Sequence, residues 1–79
     1  MLEQREIVIK IYEALLEKGY SPIRQLTGYL ISGDPTYITS HNGARALASR
    51  LDSTEVLTEI VQRYFDQTIA NEKEDNGNG

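Results

Sequence analysis

The apolar positions of the chain fall into helical stripes, interrupted by turn signals at regular intervals. In the first stripe Val8, Ile11, Tyr12 and Leu15 lie at steps of three and four, and Ile7, Ile9 and Ala14 widen that face. The spacing predicts a helix over about 3–18. Glu3 and Glu6 suit its positive end, Lys18 its negative end, and Gly19 is a good residue just past the stop. The β-branched run Ile7–Ile11 competes as a strand, but the Glu-Ala-Leu-Leu-Glu-Lys sequence after it favours helix.

Ser21-Pro22 opens a second helix, since serine caps and proline fits the first helical position. Its stripe is Ile23, Leu26, Tyr29, Leu30 and Ile31, and it should stop near Ser32-Gly33. Gly28 in its interior costs about 1 kcal/mol against alanine, which suggests that another helix approaches closely there. Asp34-Pro35 starts a single turn through Tyr37. Ser40 or Asn42 is the expected cap of a third helix, with Ala44, Leu47, Ala48 and Leu51 as its apolar positions.

Asp52 and Glu55 have capping-box spacing, with Asp in the serine place. The helix they open carries Val56, Leu57, Ile60, Val61, Tyr64, Phe65 and Ile69. Two stripes emerge on it, too wide for one neighbour. The expected fold is therefore all-α: a compact bundle of about four helices plus a short helical turn. Residues 1–70 form the single domain, and 71–79, which has no apolar side chain, is expected to be a disordered polar tail.

Length sharpens this picture. With 79 residues, one core supplies no more than about 3–5 kcal/mol. The sequence has no cysteine, so disulfides and thiolate metal sites are excluded. Self-association is the remaining staple. The wide last helix supplies its surface, giving an intertwined or side-by-side homodimer with Val8, Ile11, Leu57, Ile60, Val61, Tyr64 and Phe65 as interface candidates.

Charge narrows the partners. The net charge is -4, and Glu72, Glu74 and Asp75 against Lys73 account for half of it. A chain acidic throughout disfavours nucleic acid and anionic membrane. The N-terminal residues lack the apolar stretch of a signal peptide, and no apolar run is long enough to span a bilayer. A cytoplasmic location is expected, with no membrane insertion. A helix-turn-helix-like nucleic-acid module using Arg24, Arg45 and Arg50 is the alternative.

Catalytic chemistry is hard to find. His41 is the only histidine. Beside Ser40 and Asn42 it reads as a capping or interface residue, since no third orienting group is indicated. No ligand spacing points to a metal, and no cofactor is expected. Ser32-Gly33-Asp34-Pro35 lacks the lysine and glycines of a phosphate loop and reads as a helix stop followed by a helix start. His41 and Arg45 at a helix start offer an anion site. The preferred reading has Ser40 capping and Arg45 paired with a carboxylate. The chain is thus expected to be non-enzymatic and to act through protein contacts.

The middle of the chain resembles the IreB family. Glu17-Lys18-Gly19-Tyr20-Ser21-Pro22-Ile23 and Gly28-Tyr29-Leu30-Ile31-Ser32-Gly33-Asp34-Pro35-Thr36-Tyr37-Ile38 carry the likeness, with His41-Asn42 and Ala44-Arg45 following. It covers roughly residues 8–66. The matching motif residues are Gly28, Tyr29, Ser32, Gly33, Asp34, Pro35, Tyr37, His41, Asn42 and Arg45. The resemblance implies a small cytoplasmic Firmicute regulatory phosphoprotein, helical and homodimeric. It also implies a substrate of a cell-wall-sensing membrane Ser/Thr kinase, a negative regulator of cephalosporin resistance, and a further protein target. In that family the phosphorylated threonines lie in an arm before the first helix. Here the first threonine is Thr27, so that role does not transfer. Thr36 and Thr39, in the expected exposed junction, stand as alternative phosphosites, where a phosphate near a helix start would be stabilised.

Overall fold

The computed structural model describes residues 3–77, with side chains through residue 72. Helix α1 spans Gln4–Glu17, α2 Pro22–Ser32, α3 Ala44–Ala48 and α4 Ser53–Gly77. Two 3-10 turns, Pro35–Tyr37 and His41–Gly43, lie between α2 and α3. The described residues contain no strand.

The core forms where α1 packs on α2 and α3. Ile7, Ile11, Ala14 and Leu15, one face of α1, meet Leu26 and Tyr29 of α2, Ile38, and the alanines Ala44 and Ala48 of α3. Complete burial of Ile7, Ile11, Leu15 and Ile38 contributes about 1.5–3 kcal/mol each. Ile11, placed on the interface by its periodicity, is 0% exposed within one protomer. It belongs to the core and has no surface to offer a partner. Only part of the stripe that contains it faces α2 and α3: Ile11 and Leu15 are buried there, whereas Val8 is half-buried and Tyr12 is exposed.

Two expected boundaries moved. The third helix begins at Ala44, not at Ser40 or Asn42. Asn42 and Gly43 have φ of 53° and 71°, left-handed values that a propagating right-handed helix cannot include. The Ser40 side chain makes no cap hydrogen bond. Thr39 Oγ1 accepts instead from the His41 amide at 3.2 Å. After Ala48 the chain tightens, with Arg50 N–H donating to Leu47 O and Leu51 N–H to Ala48 O, which ends α3 short of Leu51.

Helix α4 continues to Gly77, through most of the segment expected to be a frayed tail. No glycine or proline interrupts it between Ser53 and Asn76. Asn78 and Gly79 lie outside the described residues. Of the α4 side chains described, only Val56 is buried. The molecule measures 49 × 25 × 24 Å along its principal axes.

Candidate interaction surface

The start of α4 is fixed by α1. Asp52 Oδ1 accepts from Glu55 N–H at 3.1 Å, the forward half of the predicted capping box. The return bond comes from elsewhere: Asp52 N–H donates to Gln4 Oε1 at 2.8 Å, while Gln4 Nε2 donates to Arg50 O at 3.2 Å. A glutamine on α1 therefore ties down the loop that launches α4. Nothing local in the sequence pointed to Gln4, because its partners lie more than forty residues away.

From that anchor α4 presents an apolar face to solvent. Ile60 is 48% exposed, Val61 52%, Tyr64 65% and Phe65 54%, with Leu57 and Ile69 on the same helix also exposed. Tyr64 and Phe65 stack edge to face, with centroids 5.4 Å apart. Where α4 leaves α1 a groove opens, lined by Val8, Ile9, Val56 and Ile60. At its rim Glu59 Oε1 receives Arg5 Nε at 2.6 Å and Arg63 Nε at 3.3 Å. Val8 is half-buried and packs against the core edge. Of the predicted interface residues, the structure thus brings six to open or partly open surface and withdraws Ile11.

The motif residues form a second, structural cluster. Tyr37 lays its ring on Gly28, so that a Cβ there would overlap the ring. The close neighbour is this tyrosine, not another helix as the sequence suggested. Gln25 Nε2 donates to Tyr37 O at 3.0 Å and holds the turn in place. The buried Tyr29 hydroxyl donates to Ala48 O at 2.9 Å, satisfying a carbonyl at the end of α3. Gly33 N–H closes α2 on Tyr29 O. Ser32 Oγ donates to Gly28 O and accepts from Asp34 N–H. Asp34 Oδ1 accepts from both the amide and the hydroxyl of Thr36, at 2.9 and 2.7 Å, with Pro35 in the first position of the turn. The Thr36 backbone hydrogen bond first, then its hydroxyl, with Arg45 adding charge, hold the Asp34 carboxyl below its ordinary value of 3.8.

Arg45 does not form the expected carboxylate ion pair. Its Nε donates to Ile38 O at 2.8 Å, supplying a donor to the carbonyl of a residue in extended conformation. His41 and Asn42 converge on Glu17, at the end of α1. Asn42 Nδ2 donates to Glu17 Oε2 at 3.1 Å, and His41 Nε2 lies 3.4 Å from the same oxygen. Glu17 was missed by the sequence reading. A carboxylate at the negative end of a helix dipole is unfavourable unless donors meet it, and that anomaly was the available signal.

Among the described residues no group of histidines and carboxylates is disposed to hold a metal ion, and no helix is long and apolar enough to cross a membrane. A family model described as "IreB: IreB regulatory phosphoprotein" matches residues 1–66 of the chain.

Proposed function

The chain belongs to the IreB regulatory phosphoprotein family, and on that premise we propose that it is a non-enzymatic regulator that works as a homodimer through its fourth helix. The observation that carries the proposal is the exposed stripe Leu57, Ile60, Val61, Tyr64 and Phe65. Contiguous apolar surface of this kind marks a protein contact. A second copy covers it with self-complementary chemistry, since each helix offers the same stripe. The groove beside Val8 and Val56 extends that surface onto α1. In this reading the Gly28–Arg45 cluster builds the body that carries the helix, and a Ser/Thr kinase and a further cytoplasmic protein are its other partners. Restraint of cephalosporin resistance under cell-wall stress is the role the family suggests.

The nucleic-acid alternative is less well supported. Helix α3 has only five residues, little more than one turn for a recognition helix, and Arg45 is engaged with Ile38 O. Duplex DNA at low salt is expected to show no tight, salt-sensitive binding.

Sedimentation equilibrium at low micromolar concentration tests the dimer. The wild-type chain is expected at twice its monomer mass. Ile60→Asp and Tyr64→Asp, both at exposed positions, are expected to give folded monomers with an unchanged α1–α3 body. A wild-type chain that stays monomeric while folded overturns the proposal.

A further inference from the structure

Resting on the reading of the chain as a phosphoprotein, we infer that Ser40 is the phosphate acceptor within this sequence. Hydroxyl by hydroxyl, the structure separates the candidates. Those of Thr27, Ser32, Thr36, Ser49 and Thr58 already donate to carbonyls or to Asp34 at 2.6–2.7 Å. Ser21 and Thr39 accept from backbone amides. Modifying Thr36 would break its bond to Asp34 and set about two negative charges against that carboxylate.

Ser40, Ser53, Thr54 and Thr68 have no such commitment. The last three lie inside α4, where a kinase must unwind helix to read them. Ser53 and Thr68 are also half-buried. Thr54 sits between Asp52 and Glu55, so its phosphate would meet like charge on both sides. Ser40 lies outside every helix, is exposed, and caps nothing. Its neighbours include side chains that can donate to a phosphate. His41 follows it, and the Arg45 guanidinium is anchored at Ile38 O, two residues before it. The backbone beside it is held by Gly43 N–H on Ser40 O and His41 N–H on Thr39 Oγ1, and neither bond uses the Ser40 hydroxyl.

The transfer is ordinary phosphoryl chemistry. Ser40 Oγ attacks the γ-phosphorus of a kinase-bound nucleoside triphosphate. The bond from that phosphorus to the bridging oxygen breaks, the diphosphate leaves, and the hydroxyl proton passes to the kinase's carboxylate base. Once in place, the phosphate competes with Glu17 for His41, now 3.4 Å from that carboxylate, and loosens the tie between the end of α1 and the turn before α3.

The test is phosphate mapping by fragmentation mass spectrometry on the intact protein recovered from its own cells, as wild type and as Ser40→Ala, Thr36→Ala and Thr54→Ala. The expected result is phosphate on Ser40, with occupancy reduced about tenfold or more by Ser40→Ala alone, because the other uncommitted hydroxyls lie inside α4. Thermal melts confirm that Ser40→Ala folds normally. Phosphate on another hydroxyl of this sequence overturns the assignment and leaves the phosphoprotein reading standing. No phosphate on any of them overturns the assignment and removes that reading's support here. The dimer is tested separately by mass.

Discussion

Gly28 shows how one missing side chain decides a junction. Tyr37 lies where a Cβ would stand. Alanine would gain about 1 kcal/mol of helix propensity, yet overpacking costs about 1–3 kcal/mol, so Gly28→Ala is expected to destabilise in urea titrations. In a Tyr37→Ala background the same change should be neutral or stabilising; an equal penalty in both backgrounds would show that the ring is not the cause. Asp34 gives a pH signature. Its carboxyl is held below 3.8 when folded, so the unfolded chain binds the proton more readily. The resulting stabilisation is complete above the ordinary value and is lost as pH falls through the folded one. Melting curves of wild type and Asp34→Ala, followed from neutral to strongly acidic pH, are expected to converge on acidification. The hydroxyl of Tyr29 is the remaining single-residue lever. Tyr29→Phe removes one of the two donors to Ala48 O, Leu51 N–H being the other, and should cost about 0.5–1.5 kcal/mol by chemical denaturation.

Elements were legible where their signals are local. Ser21-Pro22 caps α2 as predicted, with Ser21 Oγ accepting from Arg24 N–H. Asp34-Pro35 opens its turn, and Asp52 caps α4. Removing that last cap, as Asp52→Ala, is expected to cost about 1 kcal/mol, read by thermal unfolding. What the sequence concealed depends on three-dimensional pairing. Ile11 and Val8 share a stripe, yet one is core and the other borders open surface, because periodicity gives a face without saying what covers it. Ser40 looked like a cap, but left-handed Asn42 and Gly43 displaced the helix start to Ala44. Arg45 found a carbonyl where charge alone suggested a carboxylate. The clasp of Gln4 on the α3–α4 loop joins residues far apart in sequence, and no short-range pattern encodes it. The last helix was recognised along with its excess of apolar surface; its continuation to Gly77 was not, since a polar sequence free of breakers reads equally as tail.

At the scale of the whole molecule, a small body of three helices carries a fourth that it scarcely touches. Apolar side chains along α4 are open, and in the proposed dimer the copy that covers them would also be what holds that helix. Val56 is the sole α4 side chain, among those described, that the body encloses. A solitary helix in water is held by little more than propensity, and nucleation is costly. Upon dilution below the dissociation constant of the proposed dimer, a chain built this way should lose ellipticity from α4 while near-ultraviolet signals from Tyr29 and Tyr37 persist. Circular dichroism across a concentration series would register this as two separate transitions, whereas helix content independent of concentration would mean that α4 is self-sufficient. The amount of protein present would then itself set how much of its regulatory surface exists.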